Sequence, residues 1–191
     1  MTGEHDVATS AGPASGAGPV VGGLVVGLSL GHRTEREAEH WLREQVLPFA
    51  GPELVACTHL VAVPHPHVAI SLAPAGAVPG LPPTPPELRD AAGRAAAEHL
   101  ARRSGRAVRY PGVERLVGVL TVADLLAASA IARVTVLGGG EPDPGTPVET
   151  RDFVRPHWRD GRLTLVTTPV AGNRIGPFEV PDPTPCCADH P

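Results

Sequence analysis

Lysine is absent from the 191 residues, and all sixteen cationic side chains are arginine. That excludes Schiff-base chemistry, the Walker A phosphate loop and the protein-kinase lysine, each of which needs an ammonium group. Aromatic residues are scarce: Trp41, Phe49, Tyr110, Phe153, Trp158 and Phe178. With a formal charge of −4, the chain has neither the basic face nor the stacking rings that a nucleic-acid partner requires. The three cysteines, Cys57, Cys186 and Cys187, are odd in number and two are adjacent, which excludes a disulfide framework. The apolar stretch Val20–Leu30 is broken by Gly22, Gly23 and Gly27 and falls short of the ~20 residues that span a bilayer. Residues 1–19 carry Glu4 and Asp6 and no positive segment, so no secretory signal is read. A soluble cytoplasmic protein without a membrane partner is expected.

What is present is Val, Leu and Ala, with 22 Gly and 23 Pro making up roughly a quarter of the chain. Small apolar side chains bury little area each, so stability per residue is expected to be modest. The bias to Ala, Gly, Arg and Pro, with Asn173 the single asparagine, fits a GC-rich genome.

The polar, Gly-rich residues 1–19 predict a disordered tail. Val20–Leu30 reads as a buried strand. Thr34-Glu35-Arg36-Glu37 is a capping box that starts a helix running to about Val46, with Ala38, Trp41, Leu42 and Val46 on one face and Pro48 ending it. Glu53–Val63 and His67–Leu72 read as a hairpin broken at Pro64-His65-Pro66. Thr84-Pro85-Pro86-Glu87 is a second capping box, opening a helix to about Arg103 that Gly105 caps. Val113–Leu120 is a strand. The order β-α-β-β-α-β over residues 20–120 predicts an α+β fold with a ferredoxin-like core. Residues 121–180 add a β-rich extension: a short helix from Thr121, a strand at Ile131–Leu137, and strands near 148–158, 162–170 and 174–180. Asp160-Gly161 and Gly172-Asn173 are hairpin-turn dipeptides, and Pro156 and Pro169 mark edges or bulges. Residues 181–191 form a Pro/Cys tail.

Four patterns carry chemistry. In extended His65-Pro66-His67 the two imidazoles point the same way and can chelate a metal; Cys57 and His59 share one side of the preceding strand. The alternative is a hairpin tip with two solvated histidines. In the tail, Cys186, Cys187 and His190 supply up to three soft or borderline ligands; the alternative is a free end with two incidental thiols. Gly27-Leu28-Ser29-Leu30-Gly31 resembles the nucleophile elbow of α/β-hydrolases. That resemblance makes Ser29 the nucleophile, the Leu30 N–H an oxyanion donor, and His157 with Asp124, Asp143 or Asp152 the rest of a triad. Finally, Arg151, Phe153, Arg155, His157 and Arg159 alternate onto one strand face that can take a carboxylate or phosphate; the alternative is a solvated edge with Arg–Asp pairs. Leu116–Leu126 resembles the strand-to-helix end of a CBS nucleotide-sensing module. His99 is expected to be partly buried with a hydrogen-bond partner.

These readings favour a metal-binding protein, a metal-dependent enzyme or a metal carrier, holding zinc or another divalent or soft transition metal through His65, His67, Cys186, Cys187 and His190. Two alternatives stand beside it. One is a non-catalytic assembly protein, a homo-oligomer or a binder of another protein through its sheet. The other is a serine hydrolase acting through Ser29.

Overall fold

The computed structural model describes residues 20–22, 25–74 and 80–181. Apolar residues meet strand alternation first in a hairpin of β1 (Val20–Gly22) and β2 (Val25–His32). The single strand expected over 20–30 is thus two antiparallel strands. Thr34 caps α1 (Glu35–Gln45), accepting the Glu37 N–H at 3.2 Å. Glu37 reaches back to the Arg33 N–H at 2.7 Å. The next hairpin pairs β3 (Val55–Val61) with β4 (His67–Ala73) in the register Cys57 opposite Ser71.

The second capping box does not form. Pro86–Leu88 makes a 3-10 turn, and α2 (Arg89–Leu100) starts from Leu88 without a side-chain cap. The Thr84 hydroxyl instead accepts the Ser29 N–H at 3.3 Å in the interior. After α2, β5 (Arg106–Arg109) pairs with β3. The strand expected at Val113–Leu120 is a 3-10 turn at Val113–Arg115 followed by the short β6 (Val119–Thr121).

These shifts overturn the ferredoxin-like reading while keeping mixed α and β content. Such a core sets its fourth strand beside its first and both helices on one face. Here β1 occupies the free edge of β2, so β5 docks on β3, in the order β1-β2-β4-β3-β5. The crossovers β2-α1-β3 and β4-α2-β5 then step the same way across the sheet, although β2 and β4 run antiparallel. Right-handed crossovers consequently put the helices on opposite faces. Ala38 and Leu42 of α1, with Val46 at its end, pack on Val26, Leu28, Ile70 and Leu72. On the other face Ala91 and Ala95 of α2 pack on Val61 and Ala69. That face is so close that a Cβ on Gly27 would overlap the Ala92 carbonyl oxygen.

Among the described residues eleven strands form one hydrogen-bonded sheet. Thr121 caps α3 (Val122–Ala128), which leads to β7 (Arg133–Val136), β8 (Pro147–Glu149), β9 (His157–Arg159), β10 (Arg162–Val170) and β11 (Arg174–Pro177). Arg106 of β5 lies opposite His157 of β9, joining this part to the first. The expected Asp160-Gly161 and Gly172-Asn173 dipeptides have positive φ at every residue; the first closes a two-residue hairpin with Arg159 opposite Arg162, as that turn favours, and the second lies in a three-residue loop with Val170 opposite Arg174. A second core forms around Tyr110, Leu116, Leu125, Val148, Leu163 and Leu165. The Tyr110 hydroxyl is tied to the Val154 carbonyl at 3.1 Å. No described helix is long and apolar enough to cross a membrane.

Candidate functional site

The face of the sheet covered by α2 is Ala- and Gly-rich, yet four polar groups meet there. Cys57 lies opposite Ser71, and His59 lies opposite Ala69, so Ser71 is the diagonal neighbour of His59, within reach of a long side chain. His99, in the last turn of α2, completes the group. The Ser71 hydroxyl is fully buried, 2.7 Å from His59 Nε2 and 2.8 Å from His99 Nδ1. A hydroxyl has one proton and two lone pairs, so it donates to one ring and accepts from the other. Burial, reinforced for His59 by the neighbouring His99 and for His99 by Arg102, holds both imidazoles down at about 4. Both are therefore neutral at pH 7. Burial also pushes the Cys57 thiol up to about 12, only partly opposed by Trp158 and Ser71. Cys57 is thus no thiolate nucleophile.

His99 also lines a cavity of about 510 Å³ between the α2 end of the first part and the β9–β10 hairpin. Its walls are largely apolar, with Val55, Pro111, Ala132 and Leu163 beside the Trp158 ring. The His99 and Trp158 rings lie 6.0 Å apart. Arg102, Arg162 and Glu53 are its charged residues. Arg102 is exposed, with its backbone fixed on both sides. It takes the left-handed conformation that ends α2, with φ of 51°, where glycine is the usual residue. Its N–H bonds the His99 carbonyl at 2.9 Å, and its own carbonyl accepts the Gly161 N–H at 3.2 Å. Its guanidinium sits over Trp158, 5.2 Å from the ring centroid. Neither Arg102 nor Arg162 has a carboxylate partner among the described residues.

The residues expected from sequence are dispersed. His67 is buried while His65 is exposed; their rings are 5.1 Å apart, and His67 Nδ1 bonds the His65 carbonyl at 2.6 Å. Cys186, Cys187 and His190 lie outside the described residues. No group of three metal-ligating side chains exists among the described residues. Ser29 is not at a strand-to-helix elbow: β2 continues past it to His32, and its side chain is fully buried. Gly27 answers to the packing of α2 and Gly31 to a left-handed kink with φ of 77°.

Of the Arg-rich face, Phe153, Arg155 and His157 do converge, but on internal carboxylates. Glu39 receives Arg106, and also Arg155 Nη2 at 2.8 Å. Glu179 receives Arg106 and faces His157 Nε2 at 3.9 Å. The Arg155 guanidinium lies 4.2 Å from the Phe153 ring centroid. The arginines there are spent on joining α1 to the β9 side. β6 and α3 do form the strand-to-helix unit that resembled a CBS module.

No protein-family model matches the chain, and neither a curated protein nor a solved structure is significantly similar to it.

Sequence reasoning missed Ser71, Arg102 and Arg162. A signal for Ser71 was present: folding the hairpin about Pro64–Pro66 brings Ser71 back to the level of Cys57 and His59.

Proposed function

We propose that this protein binds a small organic anion with a flat apolar body in the cavity at the end of α2. The observation that carries the reading is Arg102. An arginine stands where glycine would be free of strain, is stacked on Trp158, and keeps its charge free of any described carboxylate. Arg162 adds a second cation and Trp158 a flat wall. The volume lies within the range that small-molecule sites use. Guanidinium groups suit carboxylates through paired N–H donors.

Titration calorimetry on the untagged chain tests this with benzoate and its neutral isostere benzamide. Benzoate is expected to bind at least tenfold tighter than benzamide, to weaken as salt rises, and to be lost in Arg102→Gly and Arg162→Ala. Equal binding of the two compounds, or benzoate binding that survives both substitutions, would overturn the reading.

Metal binding stands as a second reading on one observation. His67 Nδ1 is bonded to a backbone carbonyl while its Nε2 is buried and unpartnered among the described residues. Metal-ligating histidines are oriented by such a bond. Elemental analysis should then find about one zinc per chain. It should be lost in His67→Gln and in the Cys186→Ser/Cys187→Ser variant; protein free of metal after reconstitution with zinc ends this reading.

A further inference from the structure

We propose that His99 is an acid–base catalyst in this cavity, with Ser71 and His59 as its proton relay, acting on a 2-oxo acid whose C3 proton it removes and returns. The inference rests on the reading of the cavity as an anion site. His99 is the one member of the relay on the cavity wall. Its Nδ1 is committed to Ser71, which leaves Nε2 as its free ring atom. From there the hydrogen bonds run inward, His99 to Ser71 to His59, over contacts of 2.8 and 2.7 Å. His59 in turn feels the carboxylate of Glu98, which sits at the surface with Arg103 and Ser104. The hydrogen-bonded chain ends at the buried His59, which Glu98 influences by charge alone.

A purely structural role does not call for this trio. Ala69 and Ala73 occupy the same face of β4, and a buried polar network gains little over well-packed apolar residues. The groups present also match one reaction class. Arg102 and Arg162 can hold a carboxylate, and a carbonyl next to it makes the following C–H acidic. Enolisation is redox-neutral and requires no cofactor.

In the resting state His99 carries its proton on Nδ1 and donates it to Ser71 Oγ, and Ser71 donates to His59 Nε2. The lone pair of His99 Nε2 takes the C3 proton, and the C–H electron pair becomes the C2–C3 double bond of the enolate. The displaced carbonyl pair rests on oxygen beside the arginines. The Nδ1 proton passes to Ser71 and the Ser71 proton to His59, so the positive charge moves to the side of Glu98. The reverse sequence delivers a proton to C3. The charged and titratable groups facing this relay are Glu98 and Arg102 from α2 and its end, Cys57 from β3, and Glu53 and Arg162 across the cavity.

Proton NMR in D₂O with 2-oxobutyrate reads the step directly as loss of the C3 signal, while calorimetry on the same samples reads binding. The wild-type chain is expected to exchange C3 protons at least tenfold faster than buffer. His99→Gln should fall to the buffer rate with Kd changed less than threefold. Ser71→Ala and His59→Gln should slow exchange about tenfold and shift its pH profile, and Ser71→Thr should restore part of the rate. Should Ser71→Ala fail to fold, Ser71→Thr and His59→Gln carry the test. Bound 2-oxobutyrate exchanging at the buffer rate would overturn the proposal and leave the anion site standing. Exchange unaffected by His99→Gln would overturn it too. Absence of binding by both 2-oxobutyrate and benzoate would remove the anion site, and the proposal with it.

Discussion

Arg102 sets conformational strain against electrostatic use. A non-glycine residue in the left-handed region costs about 1 kcal/mol, and glycine would remove that cost at the end of α2. Arg102→Gly is therefore expected to melt at the same temperature or slightly higher, while losing benzoate affinity; thermal unfolding and calorimetry on one preparation check both. The relay histidines give a second expectation. Their folded-state pKa of about 4 lies below the ordinary 6.5. Below pH 6.5 the unfolded chain binds protons that the native chain refuses. Stability is thus complete above 6.5 and falls as pH drops towards 4, by on the order of 3 kcal/mol per histidine. A His59→Gln/His99→Gln variant should show a flatter melting profile across that window. An unchanged slope would mean that other groups set the acid sensitivity.

At the level of elements, α2 owes its position to the absence of a side chain at Gly27. The overlap that a Cβ there would make is with backbone, which cannot rotate away. Gly27→Ala should cost about 2–3 kcal/mol, as overpacked cores do, read as a lower denaturant midpoint. It should also disturb His99, because the helix that moves carries it. The Thr34 cap of α1 is an independent case. Thr34→Ala should cost ~1 kcal/mol without touching anion binding, since α1 lies on the opposite face of the sheet. The same contrast explains why one capping box was legible and the other was not. Thr34 faces a free helix end, whereas Thr84 finds a buried strand N–H and is used there.

Across the whole molecule, the ion-pair cluster of Glu39, Arg106, Arg155 and Glu179 joins α1 to β5, to the segment leading into β9 and to the residues after β11. Arg106 is only 6% exposed and Glu39 10%, so removing one partner strands buried charge. Glu39→Ala should cost about 3–5 kcal/mol, seen in the denaturant midpoint. Burial of Glu39 would raise its pKa, but the hydrogen bonds and charges of Arg155 and then Arg106 outweigh it and hold the group below its ordinary value. Its contribution is therefore full above the ordinary carboxylate range and is lost as pH falls through the depressed value. This loss begins at the acid end of the histidine window, and Glu39→Ala should abolish it.

Local chemistry made several features readable in the sequence. The two hairpin dipeptides, the Thr34 cap, the β3–β4 hairpin and the α3 start depend on contacts within a few residues. By itself the chain also excluded lysine chemistry and a disulfide framework. The sequence did not reveal β5, whose Arg-Ala-Val-Arg has no apolar run and becomes a strand because β3 offers it an open edge. Nor did it reveal strand order, since β1 takes the edge that a ferredoxin-like fold leaves for its last strand. Assembly of the cavity residues was likewise settled in three dimensions. His59 and Ser71 behind the wall come from β3 and β4, His99 and Arg102 from the end of α2, and Trp158 from β9, and their meeting depends on one hairpin register, one helix crossing and one distant hairpin. Those are long-range choices made by packing and by satisfying buried hydrogen bonds, and no window of local sequence contains them.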